Sequence, residues 1–385
     1  MTAGRLAGSS RHGEPWRVGV LFSQTGVTAV VEETQLRGTL LALSEINEAG
    51  GIAGCEVVPV IYDPQSNDRN FARLSHRLLA NDGVNVIFGC YTSSSRKAVL
   101  PVVERLNGLL LYPTLYEGFE LSPNVIYTGA APNQNLMELC AYLLAHYGPR
   151  FHLIGSDYVY PRATNQLMRE VLADSGGVLT GETYISLNAD RRDLVPVIAE
   201  LRRTRPDVVF STVVGDPTIH LYQAYADAGF DPRLMPIASL TTTEAEVRAM
   251  GCAVAEGHIT AAPYFQSVDC VANTEFVRRY QRRYGSDEPT NMCVEAAYYQ
   301  VHMFARALAQ TRTIETDVLR EKMLGATFEA PQGLVEINAA SSHTTLWTRI
   351  GRATRSGQFE VIRQSARPVV ADPYLVGYGR TAPHA

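Results

Sequence analysis

The apolar positions of the chain alternate between two spacings. Short β-branched runs recur about every 30 residues, and apolar residues at three- and four-residue steps lie between them. Leu36, Leu40 and Leu43, for example, lie on one helical stripe that ends before the glycine pair at 50–51. Strands and helices in regular alternation predict βαβ units, and therefore parallel sheets covered by helices on both faces.

The predicted strands fall into two consecutive sets. The first set is Arg17 to Phe22, Glu56 to Tyr62, Val84 to Phe88 and Leu109 to Tyr112. The second is Phe151 to Gly155, Thr183 to Leu187, Asp207 to Val213, Pro236 to Ser239 and His258 to Pro263, with a helix expected at Asn165 to Leu172. From about Tyr264 the order changes to two long helices and then to β-rich segments at Gly333 to Ile337 and Leu346 to Ile350.

We therefore predict an α/β protein with two doubly wound parallel-sheet lobes, which the chain finishes in turn by crossing between them more than once. The first lobe is expected to comprise residues 17–131 and 264–335, and the second residues 132–263 and 336–375. Residues 1–16 and 376–385 are expected to be tails. Repeated crossings of this kind would form a hinge.

Composition narrows the functional classes. A chain of 385 residues, 46% hydrophobic and 19% charged, is long enough for two domains. Its net charge of -5 and the lack of any block of like charges argue against direct binding to nucleic acid or to a membrane surface. The six cysteines show no CxxC spacing, and we expect free thiols. Because the first sixteen residues also lack an apolar signal stretch, we expect a cytoplasmic protein.

Tyr, Ser and Thr are concentrated directly after the predicted strands, where ligands bind in open α/β sheets. The seven strand ends read FSQTG (22–26), GCYTSSS (89–95), YPTLYE (112–117), GSDYVY (155–160), VVGD (213–216), SLTTT (239–243) and APYF (262–265). Phenols and hydroxyls both donate and accept hydrogen bonds, so such a lining suits an amide or urea without a counter-charge. The alternative is that the hydroxyls only cap the helices that follow, a role less natural for the tyrosines.

Motifs for catalysis are missing from the sequence. It has no GxSxG elbow, no HExxH, no GxxxxGK[ST] and no GxGxxG after a strand, so no metal site and no cofactor is predicted. Cys90 as a nucleophile would need a nearby base or a lowered pKa, and we interpret it as a small residue at a buried strand end. The sequence thus favours a binding protein that is not an enzyme.

Several stretches resemble a known family. FGCYTSSSRKAVLPVVE, LLYPTLYEGFELSPNVIYTGAAPNQN, GSDYVYPRATN and PIASLTTTEAEV are similar to segments of the amide and urea branch of type I periplasmic-binding-protein folds. Within that branch the chain looks closest to the cytoplasmic amide sensor that negatively regulates an aliphatic amidase operon, with the urea-transport receptor next. The resemblance extends from about Arg17 to Tyr374 and implies two lobes joined by three crossovers.

The resemblance also implies a ligand site between the lobes. Combined with the strand ends, it puts ten residues in that site: Tyr91, Ser93, Tyr112, Thr114, Tyr158, Tyr160, Val214, Gly215, Asp216 and Tyr264. Leu115 departs from the amide sensor, which has a proline there, while Gly215-Asp216 and the segment 265–267 look more like the urea receptor. An amino-acid receptor of this fold would need an acid for the ammonium group, and Asp216 or Glu295 could supply it.

Two functions remain after these arguments. The first is a cytoplasmic sensor that closes on a short-chain aliphatic amide or urea and regulates amidase expression through an antiterminator-type partner protein. The alternative is the substrate-binding receptor of an ABC transporter for urea, short-chain amides or branched-chain amino acids, which would hand its ligand to a membrane permease from a periplasmic or cell-surface position. A homodimer is left open in both cases.

Overall fold

The first third of the chain builds a five-stranded parallel sheet with strand order β2-β1-β3-β4-β5. A computed structural model describes residues 14–378, so most of the two predicted tails lies outside the described residues. The strands are β1 (Trp16–Leu21), β2 (Val57–Tyr62), β3 (Val86–Gly89), β4 (Leu109–Tyr112) and β5 (Val125–Tyr127). The helices between them are α1 (Ala29–Glu48), α2 (Asp68–Ala80) and α3 (Ser93–Leu106).

A second set of βαβ units follows after a 3₁₀ turn at Pro132–Gln134. Its strands are β6 (Arg150–Ser156), β7 (Val178–Ile185), β8 (Val208–Thr212), β9 (Ile237–Ser239) and β10 (Ile259–Ala262). Its helices are α4 (Leu136–His146), α5 (Val159–Asp174), α6 (Val195–Thr204), α7 (Asp216–Asp227), α8 (Glu244–Met250) and α9 (Cys252–Ala255). Helix α5 begins six residues before the expected start. Pro161 does not interrupt it, because it lies in the first turn, where the N–H that proline lacks would have no partner within the helix.

The last third of the chain completes both units. Helices α10 (Val271–Tyr284), α11 (Met292–Thr311) and α12 (Thr316–Met323) come first, then a small antiparallel sheet of β11 (Thr327–Ala330), β12 (Gly333–Ile337) and β13 (Thr344–Thr345). Strands β14 (Arg349–Ala353) and β15 (Phe359–Gln364) join the second sheet, whose order is β15-β14-β10-β9-β8-β6-β7. Helix α11 packs against α1 so closely that a Cβ on Gly38 would lie 2.5 Å from the Val294 carbonyl oxygen.

The fold prediction is confirmed. The chain passes between the two large sheets three times, after β5, after β10 and before β14, while the exact lobe boundaries stay a prediction. Strand β5 was missed because three residues give too little pattern to detect, and β15 was missed as well. Of the helices within residues 14–378, none is long and apolar enough to cross a membrane.

Candidate functional site

The loop between β3 and α3 leads from Tyr91 to Ser93, two of the predicted ligand contacts, and we call this side of the predicted site one wall. Thr92 caps α3, since its Oγ1 accepts the Ser95 N–H at 3.1 Å, so the capping hydroxyl is the residue before the three serines at 93–95. Tyr91 comes directly before this cap and is 3% exposed. Burial raises the pKa of the Tyr91 phenol well above its usual value, and the phenol is therefore a neutral hydrogen-bonding group.

Ser93, the first residue of α3, belongs to a buried charge cluster. Its Oγ donates to a Glu117 carboxylate oxygen and accepts a hydrogen bond from Arg96 Nη1 at 3.1 Å. Arg96 is fully buried, and its other nitrogens contact Glu117 at 3.3 Å and Glu120 at 2.7 Å. Lys97 Nζ lies 3.1 Å from Glu120 and 3.5 Å from Glu117, so two cations face two carboxylates and the cluster is neutral as a whole.

Tyr112 and Thr114, at the end of β4, support this wall from behind. The Tyr112 hydroxyl donates to the Tyr91 carbonyl at 2.8 Å. Thr114 Oγ1 donates to the Cys90 carbonyl at 3.3 Å and accepts from Gln35 Nε2 at 2.9 Å. The hydroxyls of both residues therefore hold the loop after β3 in place.

Tyr158 and Tyr160 form the opposite wall, at the start of α5 in the second unit. Their ring centroids lie 6.3 Å apart, and Tyr160 is 3% exposed. Burial raises the pKa of both phenols, and the nearby charge of Glu117 raises it further. Both tyrosines also raise the pKa of the Tyr91 phenol, and helix α3 contacts helix α5, so the start of α5 lies near the loop after β3.

The segment Val214–Asp216 joins the two units through the backbone. The Asp216 N–H donates to the Val27 carbonyl at 3.0 Å, although β1 and β8 belong to different sheets. Gly215 has φ +71°, and a Cβ there would lie 2.3 Å from the same oxygen. The Val214 N–H donates to Ser156 Oγ at 3.2 Å. Because the Asp216 side chain is exposed, this segment contributes a close backbone contact and no buried acid.

The Tyr264 hydroxyl is held by two residues of the segment that follows it in the chain. It donates to Asn273 Oδ1 at 2.7 Å and lies 2.7 Å from Thr290 Oγ1, so it binds the segment around the second crossing. Glu295, suggested above as an ammonium ligand, instead accepts a 2.9 Å hydrogen bond from Gln332 Nε2.

The structure adds two acids that the sequence reasoning missed. Glu117 comes three residues after Thr114, and Glu246 lies in the T-x-x-E capping box of α8, where it accepts the Thr243 N–H at 2.7 Å. Glu246 is fully buried, its Oε1 has no hydrogen-bond partner, and burial raises its pKa to about 7. Its charge also raises the pKa of the Tyr91 phenol. The capping-box motif was visible in the sequence, but its nearness to Tyr91 was not.

The arrangement is suited to binding. Burial raises the pKa of the Cys90 thiol far above neutral pH, which leaves it a poor nucleophile. In the part of the chain that the structure describes, no group of three or more His, Cys, Asp or Glu residues is placed to hold a metal ion.

Comparison with known proteins places these features in context. The model of the "Periplasmic binding protein domain" family matches residues 16–379. The leucine-, isoleucine-, valine-, threonine- and alanine-binding protein of Pseudomonas aeruginosa is 22% identical over 316 residues, which cover 80% of this chain and 82% of that protein. An ABC-transporter solute-binding protein from Rhodopseudomonas palustris BisB5, solved with 3,4-dihydroxybenzoic acid, superposes with a TM-score of 0.84 at 20% identity, covering 93% of this chain and 99% of that one.

A further match is partial. A protein named limonene hydroxylase from Geobacillus stearothermophilus is 30% identical over 126 residues, so the chain spans only 23% of that relative's length. The long matches are to solute-binding proteins, in agreement with the predicted non-enzymatic class.

The expected cytoplasmic location is wrong. The family model and the ABC-transporter relatives are those of periplasmic solute-binding proteins, and they point to the periplasm. The composition of the first sixteen residues was therefore a misleading guide to location. The comparisons favour the transport-receptor alternative over the sensor, and they give no support to an antiterminator-type partner.

Proposed function

This chain belongs to the periplasmic binding protein domain family, and from that premise we propose that it is the solute-binding receptor of an ABC-type uptake transporter for a small neutral amide or urea. The ligand would bind between the two lobes and pass to a membrane permease. The observation that supports a neutral ligand is the facing pair of tyrosine walls, in which the buried Arg96 already has carboxylate partners.

Each wall offers what an amide needs. Tyr91 on one side and Tyr158 and Tyr160 on the other give apolar faces and neutral phenols, which both donate and accept. The start of α3 adds backbone N–H groups that have no partner within the helix, and a carbonyl oxygen is a suitable acceptor for them. An anion could accept from the same N–H groups, but the buried guanidinium of Arg96 is engaged by Glu117 and Glu120 and would not balance the added charge.

Binding would be coupled to closure of the lobes. The backbone hydrogen bond from Asp216 to Val27 links the loop after β8 to the loop after β1, which lie in different units. We expect this bond to form on closure and to break on opening. A ligand that contacts both tyrosine walls binds the closed form better than the open form and shifts the population toward it. A permease could then distinguish the ligand-bound receptor from the empty one by binding the closed form.

Calorimetric titration tests the proposal. Acetamide, propionamide and urea should bind, and leucine and 3,4-dihydroxybenzoate should bind more weakly. Tyr158→Phe should weaken amide binding about fivefold, the effect of one lost hydrogen bond of about 1 kcal/mol. Tyr378→Phe is the matched control, because that phenol is exposed and bonded to Asp174. Tight binding of leucine or the hydroxybenzoate alone would refute the neutral-ligand proposal.

A branched-chain amino-acid receptor is the second candidate, because Glu246 offers a buried carboxyl oxygen without a partner near Tyr91. A ligand ammonium group would complete that oxygen's hydrogen bonding. In this case leucine should bind to the wild-type chain, and Glu246→Gln should abolish leucine binding.

A further inference from the structure

Resting on the proposed function, we infer that Glu117 and Arg96 act as positioning residues that make the Ser93 hydroxyl a pure hydrogen-bond acceptor toward the ligand. In that state Ser93 selects the N–H₂ group of an amide or urea over a carboxylate of the same shape.

The inference begins from the capacity of a serine hydroxyl, which has one hydrogen to donate and two lone pairs to accept with. The hydrogen of Ser93 is donated to a Glu117 carboxylate oxygen. One lone pair accepts the 3.1 Å hydrogen bond from Arg96 Nη1. A single lone pair is left, so a ligand atom that meets Ser93 must bring its own hydrogen.

The direction of both bonds is dictated by the partners. A guanidinium can only donate, and a carboxylate paired with cations can only accept. Arg96 cannot turn away, because its Nε is bound to Glu120 at 2.7 Å and its side chain is fully buried between the rings of Tyr112 and Tyr116. Ser93 is 2% exposed, so no bulk water competes for its hydrogen.

The cluster adjoins the opposite wall of the cleft. The Glu117 charge acts on the phenols of Tyr158 and Tyr160, which belong to the other lobe. An amide satisfies both kinds of group at this place: its carbonyl accepts from backbone N–H groups at the start of α3, and its N–H₂ donates to Ser93. A carboxylate can also accept from the backbone N–H groups, but it has no N–H to donate to Ser93. Its second oxygen would face the Ser93 lone pair, close to the negative charge of Glu117.

Acetamide and acetate test the selection, since they have nearly the same shape and differ in the N–H₂ group. At pH 7.5 the wild-type chain should bind acetamide much more tightly than acetate, measured by calorimetry. Glu117→Gln should reduce this preference about tenfold, because the glutamine amide also has N–H donors and no longer obliges Ser93 to donate. Glu120→Gln is the matched control: it removes the same charge from the same cluster without touching Ser93, and it should keep most of the preference.

Two further variants keep the test sharp if Glu117→Gln folds poorly. Ser93→Ala should lower acetamide affinity and leave acetate affinity nearly unchanged, and Ser93→Thr, which retains the hydroxyl, should restore the preference. Equal loss of preference in Glu117→Gln and Glu120→Gln would show an effect of charge alone and overturn the inference while the proposed function stands. Failure of the wild-type chain to bind any amide or urea would instead overturn the proposed function.

Discussion

Replacing Gly215 by alanine should weaken ligand binding through the closed form alone. The new Cβ would lie 2.3 Å from the Val27 carbonyl oxygen, about 0.7 Å closer than the 3.0 Å that real Cβ atoms respect. If the backbone at Gly215 moves away from the Val27 carbonyl by that distance, the Asp216 N to Val27 O distance grows from 3.0 Å to about 3.7 Å, which is beyond hydrogen-bonding range. The lost bond is worth about 1 kcal/mol, which corresponds to about fivefold in the dissociation constant.

Backbone strain must be separated from this clash. Gly215 has φ +71° and ψ -154°, a conformation almost restricted to glycine, so alanine there also costs roughly 1–3 kcal/mol of stability. That cost is the same in the open and closed forms and cancels from the affinity. Gly229→Ala is the control, because Gly229 has φ +75° but no atom within 4 Å of the new Cβ.

Calorimetry with acetamide gives the affinities, and guanidinium chloride gives the stabilities, since urea is itself a candidate ligand. Gly229→Ala should lose stability and keep wild-type affinity, whereas Gly215→Ala should lose both. If Gly215→Ala binds as tightly as wild type, or if both variants bind equally weakly, the interlobe contact does not govern closure and the reasoning is wrong.

Three other changes are expected to affect stability. Burial lowers the pKa of His258 to about 3, below its unfolded value near 6.5. The free energy of unfolding should therefore fall as the pH drops below 6.5, by about 2 kcal/mol at pH 5. His258→Asn retains an acceptor for the Ile237 N–H and should flatten that fall in acid denaturation curves. Arg96→Met leaves two buried carboxylates without their guanidinium and should lower the free energy of unfolding by about 3–5 kcal/mol, measured by chemical denaturation. Arg162→Met breaks an exposed ion pair and should lower it by less than about 1 kcal/mol. Tyr264→Phe should lower stability by about 1–3 kcal/mol and leave acetamide affinity unchanged, and weaker binding would return this phenol to the ligand site.

The sheets could be predicted because their pattern is local. Buried parallel strands are short apolar runs, and β3 and β4 are buried at every position. Strand β7 was harder, because it starts at Val178, five residues before its expected start, and its first two residues are exposed. Its extra length comes from pairing with β6, a tertiary contact that no local pattern records.

The site was predictable only in outline. The hydroxyl-rich strand ends pointed to Tyr91, Tyr158 and Tyr160, which lie near enough to one another for Tyr158 and Tyr160 to raise the pKa of the Tyr91 phenol, and their contact with a ligand stays a prediction. The hydrogen-bond partners of Tyr264 could not be predicted from its place after β10, because they lie further along the chain, at Asn273 and Thr290. Nor could the charge cluster be predicted, since Ser93 and Glu117 are 24 residues apart and meet only because β3 and β4 are neighbours.

The charge cluster also explains why the two walls should differ in rigidity. Glu120 accepts a 2.9 Å hydrogen bond from the Tyr127 hydroxyl, and the Tyr127 ring stacks on His343 at 4.2 Å, just before the chain makes its third crossing. Burial lowers the pKa of His343 to about 4, so this stack stays uncharged near neutral pH. The wall that contains Ser93 is thus fixed to the hinge by a continuous buried network. The wall of Tyr158 lies at the start of α5 in the other unit, where the Asp157 N–H donates to the Ile185 carbonyl. We therefore expect the first wall to be preformed and the second to arrive with closure.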